Sequence, residues 1–85
     1  MNSHRKKPTA RTTDDWAFLT KGLLKAELAK RDVSYPQLAN LLAQLGIHDS
    51  PENLANKINR GRFSALFLVQ CLEALDCKLL RLTDE

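Results

Sequence analysis

The sequence contains few of the residues from which enzyme and metal sites are usually built. Its 85 residues include only three glycines, two histidines and two cysteines. The glycines are dispersed, so no glycine-rich loop is available to hold a phosphate. The histidines and cysteines do not have the spacing of metal ligands, and no Ser/His/acid set is suggested. We therefore expect a protein without catalytic activity and without a metal or a cofactor.

Long apolar runs are also lacking. No stretch approaches the roughly 20 apolar residues of a membrane-spanning helix, and no hydrophobic segment follows the basic amino terminus as in a signal peptide. Cys71 and Cys77 are six residues apart, which directs their side chains away from each other at about 100° per helical residue. We expect two buried, reduced thiols and a cytoplasmic protein without membrane contact.

The net charge of +3 is unevenly distributed. Residues 1–12 contain four basic side chains and no acid, whereas the rest of the chain contains nine basic and ten acidic ones. We expect a disordered basic arm at 1–12 and one folded domain at 13–85. The arm is either an ordinary solvated tail or a flexible element that contacts DNA phosphates or a minor groove. Its basic residues are Arg5, Lys6, Lys7 and Arg11.

The spacing of apolar residues predicts a first helix that begins near Thr13 or Asp14, as its cap, and ends near Arg31. Acids lie early in this segment and bases late, which suits the helix dipole. The pattern ends at Asp32 and Val33. The residues expected on the buried side are Trp16, Leu19, Leu23, Leu24 and Leu28.

A capping box predicts the start of the second helix. Ser34 and Gln37 have the required spacing, and Pro36 is compatible with a first helical turn. Gly46 is expected to end this helix because glycine readily adopts a positive φ.

A third helix is predicted from a similar signal. Asp49 and Glu52 have capping-box spacing, and Pro51 lies in the opening turn. The helix is expected to run to about Arg60 and to end at Gly61. Its buried side would contain Leu54 and Ile58.

The fourth predicted helix is more apolar than one small core requires. It begins after a Ser64 cap and ends near Leu75, and nine of its eleven residues are apolar. Because one core covers one face of such a helix, we expect the remaining surface to contact a second copy of the chain. The segment 78–82 could extend this helix, pack on the domain or form a short strand. The residues expected in the homodimer interface are Phe67, Cys71, Ala74, Leu79, Leu80 and Leu82.

Two helices joined by a glycine turn and followed by an apolar helix are typical of a helix-turn-helix domain, whose second helix lies in the DNA major groove. Three asparagines within residues 53–59 each cost about half a kcal/mol in a helix relative to alanine. Asparagine can pair with adenine, lysine with guanine, and arginine with phosphates; alternatively, these are ordinary solvated residues. The candidate DNA contacts are Ser50, Asn53, Asn56, Lys57, Asn59, Arg60 and Arg62.

Four segments, residues 34–39, 45–47, 56–61 and 68–77, resemble the Cro and phage-repressor (XRE-like) helix-turn-helix family. The resemblance covers about residues 20–78. It implies an all-α, four-helix domain that binds double-stranded DNA as a homodimer and regulates transcription. It further implies that Gln37 contacts the DNA backbone and orients a side chain of the recognition helix. The chain is more similar still to a group of small, uncharacterised bacterial one-domain proteins, a similarity that supports the fold.

A second hypothesis is a protein-interaction module, such as an antitoxin, an adaptor or an inhibitor, that retains the fold without contacting DNA. The near-neutral domain and the apolar excess of the fourth helix favour it. Surface charge distinguishes the two hypotheses. Dominance of Asp49 and Glu52 on the third helix would indicate a protein partner, and a positive surface there would indicate DNA. The residues expected to form that positive surface are Gln37, Asn56, Lys57, Arg60 and Arg62.

Overall fold

Four α-helices account for the regular structure of residues 11–82, the part of the chain that the computed structural model describes. This confirms the predicted all-α, four-helix fold. Arg5, Lys6 and Lys7 of the predicted arm lie outside the described residues. The helices are α1 (Thr13–Lys30), α2 (Tyr35–Gln44), α3 (Pro51–Arg60) and α4 (Ala65–Ala74).

The predicted caps of α2 and α4 are confirmed. The Ser34 hydroxyl accepts a hydrogen bond from the Gln37 amide at 3.3 Å, and the Gln37 side-chain oxygen accepts one from the Ser34 amide at 2.8 Å. The Ser64 hydroxyl accepts from the Phe67 amide at 3.0 Å. These bonds satisfy amide groups that have no partner within the helix.

The predicted caps of α1 and α3 were wrong by one or two positions. Thr12 caps α1 and forms a capping box with Asp15, so the folded domain includes a residue assigned to the arm. Ser50, not Asp49, caps α3, and its hydroxyl accepts from the Asn53 amide at 3.0 Å. Because the residue before Pro51 is restricted to extended backbone, Ser50 already has the conformation that a cap requires.

Three helices end in the same Schellman motif. The residue after each cap adopts a positive φ, which is 54° at Asp32, 84° at Gly46 and 56° at Asp76. The next amide in each case bonds a carbonyl five residues earlier. Gly46 therefore has its predicted role, and aspartate takes the place of glycine at the other two ends, since aspartate tolerates this conformation.

The core lies where α3 packs against α1 and α2, and α4 packs against α2. The prediction that Trp16 and Leu19 are buried was wrong, because α1 directs Ala17 to the core and leaves the Trp16 side chain 56% exposed. Arg11 lies over the Trp16 ring at 4.8 Å. The continuous core consists of Leu24, Leu28, Leu38, Leu42, Leu54, Ile58, Phe67, Cys71 and Leu75.

Gly61 sets the distance between α1 and α3. Its φ is 66°, and a Cβ atom at this position would lie 2.0 Å from the Ala17 carbonyl oxygen. The backbone at the end of α3 therefore approaches α1 more closely than any side chain would permit.

After α4, the described chain up to residue 82 forms neither a further helix nor a strand. Of the three alternatives expected for 78–82, packing on the domain is the one observed, since Leu80 is half-buried and Arg81 and Leu82 line a depression together with residues of α1. None of the helices in the described part of the chain is long and apolar enough to cross a membrane.

Candidate nucleic-acid interface

One side of α3 is fully exposed. Leu54 and Ile58 fix the orientation of this helix, since both are completely buried. Because neighbouring helical residues differ by about 100°, the side chains between them are directed to solvent. Six residues of α3 are exposed, and the four with amide or guanidinium side chains are hereafter the α3 face: Asn53, Asn56, Asn59 and Arg60. The other two exposed residues are Pro51 and Glu52. Four of the residues predicted to contact DNA are thus accessible together on one surface.

Lys57 has a different environment from its neighbours on α3. Its Nζ atom lies 2.7 Å from Asp49 Oδ2 and 5.0 Å from the centroid of the Phe67 ring. The Lys57 ammonium group holds the pKa of Asp49 below its ordinary value, with a smaller contribution from Asn53. Lys57 therefore neutralises Asp49, although it lines the same shallow depression as Asn53, Asn56, Asn59 and Arg60.

Arg62 and Asn59 both have partners on α1. Arg62 Nη2 lies 2.6 Å from Asp14 Oδ1, and both side chains are exposed. Lys25 Nζ donates a hydrogen bond to Asn59 Oδ1 at 3.0 Å. These contacts place the basic Lys25 and the acidic Asp14 of α1 beside the carboxyl end of α3.

Lys21 and Lys25 were not among the residues predicted from the sequence to contact DNA, although both lie near the carboxyl end of α3. Lys21 lines a shallow depression together with Arg60 and Arg62. The available signal was their spacing of four residues, which places two lysines on the same side of α1. The sequence did not indicate that this side of α1 lies beside α3, because the predicted orientation of α1, with Trp16 buried, was wrong.

The two ends of α3 differ in charge. Asp49 and Glu52 lie at the amino end, and Asp49 is paired with Lys57. Arg60 and Arg62 lie at the carboxyl end with the α1 lysines. The basic side chains near α3 therefore lie on its α1 side, where Asp14 lines the same depression.

Gln37 and Ser50 both act as capping residues. The Gln37 side-chain oxygen is bonded to Ser34, and the Ser50 hydroxyl to the Asn53 amide. Both residues are exposed. Their side chains fix the starts of α2 and α3, which orients the α3 face relative to the rest of the domain.

The apolar residues of α4 are oriented differently from the prediction. Phe67 and Cys71, expected at the homodimer interface, belong to the core of the single chain. Burial raises the pKa of the Cys71 thiol to about 11. The exposed apolar residues of α4 are instead Leu66 and Val69, at 70% and 61% exposure. Among the other predicted interface residues, Ala74 and Leu80 are half-buried, while Leu79 and Leu82 are exposed.

A buried polar cluster lies away from the α3 face. Glu27 is 4% exposed, and its Oε1 accepts hydrogen bonds from Arg31 Nη1 at 2.6 Å and from the Cys77 thiol at 3.6 Å. Arg31 Nε donates to the Leu75 carbonyl at 3.0 Å. The Arg31 guanidinium holds the pKa of Glu27 below its ordinary value. The cluster joins α1 to the end of α4. Its polar side chains bond one another and the Leu75 carbonyl, so no ligand is needed to account for it.

Cys71 and Cys77 are both free thiols, as expected, although Cys77 is only half-buried. No three His, Cys, Asp or Glu side chains among residues 11–82 are arranged to hold a metal ion.

Comparisons with known proteins identify a family for this chain. No curated protein and no solved structure matches the chain. A family model described as a domain of unknown function, DUF6471, matches residues 16–80, from the exposed Trp16 to the segment after α4. This match includes all of α2, α3 and α4 and most of α1. The chain therefore belongs to the DUF6471 family.

Proposed function

We propose that this chain is a cytoplasmic, sequence-specific DNA-binding protein that regulates transcription and contacts the major groove through α3. The observation on which the proposal depends is the α3 face, where three asparagines and Arg60 are exposed side by side. With its side chains, an α-helix is about 10–12 Å in diameter, which fits a major groove about 12 Å wide.

The side chains of the α3 face have the chemistry of base contacts. An asparagine amide donates and accepts in one plane, so it can bond adenine N6 and N7 at the same time. Asn59 accepts a bond from Lys25, and Asn53 helps to lower the pKa of Asp49. Asn56 is therefore the first residue that we assign to a base, with Asn53 and Asn59 beside it.

Phosphate contacts are assigned to the basic groups at the carboxyl end of α3. Arg60, Arg62 and Lys21 surround one depression, and Lys25 lies beside Asn59. The Arg62–Asp14 pair is exposed on both sides, so water already screens it and a phosphate can replace the carboxylate at small cost. Lys57 is assigned a structural role through Asp49.

The second candidate is a protein-interaction module that keeps this fold without contacting DNA. It is favoured by the exposure of Leu66 and Val69 on α4, because neighbouring apolar side chains on a surface are typical of protein contacts. The acids at the amino end of α3 also favour a partner other than DNA.

Selection of bound fragments from random duplex DNA tests the proposal directly. We expect a defined sequence motif for the wild-type chain. Asn56→Ala should alter that motif and weaken binding to the selected site by about 1–3 kcal/mol. Asn40→Ala is the matched control, since Asn40 is an exposed asparagine on α2, and it should bind as wild type does.

Two results would reject DNA binding by α3. One is the absence of any enriched fragment at moderate salt. The other is an unchanged motif and affinity for Asn56→Ala in a variant whose circular dichroism matches that of wild type. Retention of a protein rather than a duplex would then favour the interaction module.

A further inference from the structure

The side of α1 that is directed away from the core is apolar along most of its length. Ala17, Leu24 and Leu28 are buried on the inner side. On the opposite side, Leu19 is 42% exposed and Leu23 is half-buried. We define the outer α1 face as Asp15, Leu19, Gly22, Leu23, Ala26 and Lys30, of which only the first and the last are polar. A helix that is apolar on both sides is typical of a helix buried on both sides.

Gly22 lies in the middle of this face and lines a shallow depression that Phe18, Arg81 and Leu82 also border. It is helical, its φ is not positive, and a Cβ atom built on it has nothing within 4 Å. Glycine inside a helix is less stable than alanine. Glycine is suited, however, to a position where a second helix approaches the backbone closely.

The outer α1 face is complementary to itself in the antiparallel direction. Consider two copies of α1 that pair antiparallel about a twofold axis passing between Gly22 and Leu23. Gly22 of each copy then faces Leu23 of the other. Leu19 of one copy then faces Ala26 of the other, so a large side chain meets a small one at each step. Asp15 faces Lys30, so opposite charges meet at both ends. Lys30 already bonds Glu27 at 3.2 Å and is 60% exposed, which leaves its ammonium group accessible.

We propose that the outer α1 face is the interface of a homodimer in which the two α1 helices pack antiparallel. Such an interface is isologous, with the same residues used by both copies. Antiparallel helices also place opposite dipole ends together. Because α3 packs on the inner side of α1, both α3 faces remain exposed in this dimer. The inference goes beyond DNA binding and does not depend on it.

Sedimentation equilibrium of the full chain tests the interface. We expect a concentration-dependent dimer at high micromolar concentration. Ala26→Glu should weaken dimerisation by at least about 100-fold, because the interface would bury an unpaired carboxylate. Leu66→Glu is the matched control, since Leu66 is an exposed apolar residue of α4, and it should leave the dimer intact.

A second test exchanges the large side chain at position 19 with the small one at position 26. It introduces no charge. Ala26→Leu alone places leucine against Leu19 and should weaken the dimer. Leu19→Ala combined with Ala26→Leu restores one large and one small side chain at each contact, so it should dimerise more tightly than Ala26→Leu alone. Circular dichroism verifies the fold of each variant.

Three results would overturn the inference. They are a monomer at all concentrations, a dimer lost with Leu66→Glu but kept with Ala26→Glu, and an exchange variant no tighter than Ala26→Leu. DNA selection gives an independent outcome, so a failed interface and a failed DNA-binding proposal are distinguishable.

Discussion

Lys57 Nζ lies 2.7 Å from Asp49 Oδ2, and this ion pair joins the residue before the α3 cap to the second half of α3. The Phe67 ring of α4 also lies near the ammonium group, with its centroid 5.0 Å away. The lysine that appeared most suited to guanine in the sequence thus links three parts of the domain.

Replacement of Lys57 separates structural from DNA-binding roles. Lys57→Ala should lower the free energy of unfolding by about 1 kcal/mol, a modest value because the lysine side chain is 43% exposed. Asn56→Ala should change it by less than about 0.5 kcal/mol. Urea denaturation measures both values. A Lys57 variant as stable as wild type would contradict the structural assignment.

The helix ends were the best predicted part of this fold because their signals are local. Ser34 with Gln37, Gly46 and Ser64 each act over a few residues, and their hydrogen bonds follow from backbone geometry. The one-residue error at Asp49 arose because two side chains of similar capping ability stand together. Pro51 distinguishes them through the restriction that it places on Ser50.

The orientation of α1 and α4 could not be obtained from local signals. Both helices are apolar on more than one side, so periodicity alone does not determine which side faces the core. Tertiary packing decides it, through the close approach of Gly61 to Ala17 in the case of α1. The same ambiguity hid the candidate site residues Lys21 and Lys25 and placed Phe67 at a surface that it does not occupy.

The three glycines of the chain should respond in different ways to the same change. Gly61→Ala should destabilise by more than about 3 kcal/mol, since its Cβ would overlap the Ala17 carbonyl. Gly46→Ala should cost about 1 kcal/mol, from its φ of 84° alone. Gly22→Ala should stabilise the monomer by about 0.5–1 kcal/mol. Thermal unfolding at low protein concentration measures the change in the free energy of unfolding for all three variants. Equal losses of stability in Gly46→Ala and Gly61→Ala would contradict the close approach of Gly61 to α1.

Acid should destabilise the fold through Glu27. Hydrogen bonding to Arg31 holds the pKa of Glu27 below its ordinary value of 4.5. A carboxyl with a lowered folded pKa contributes stability that is fully present above the unfolded pKa. That stability is lost as the pH falls through the folded pKa. We therefore expect the free energy of unfolding to decrease below about pH 4.5, with Asp49 contributing at lower pH.

Glu27→Gln isolates this contribution. It should lower stability at neutral pH by about 2 kcal/mol, because Arg31 loses a charged partner at a partly buried site, and it should flatten the acid dependence. Glu73→Gln is the control, since Glu73 is exposed on α4. Denaturant unfolding across the acid range measures both effects. An acid profile of Glu27→Gln as steep as that of wild type would assign the acid sensitivity to other groups.

The basic groups around α3 should determine how DNA binding depends on salt. Each phosphate contact contributes about −0.9 to the slope of log K against log salt concentration. Lys21→Gln with Lys25→Gln should therefore reduce the magnitude of the slope by up to about 2 and weaken binding to all sequences alike. Neutralising Arg5, Lys6 and Lys7 should act in the same way if the arm contacts phosphates.

Two controls distinguish this effect from a general loss of positive charge. Lys78→Gln removes one charge after α4, where Lys78 pairs with Asp76, and should leave the slope unchanged. Asn56→Ala should alter sequence preference at an unchanged slope, because an uncharged amide releases no counterions. Titrations of one selected and one scrambled duplex over a range of salt concentrations measure these quantities. Equal slope changes for Lys78→Gln and for the α1 lysines would show that the charge acts at long range, and would remove the phosphate contacts assigned to α1.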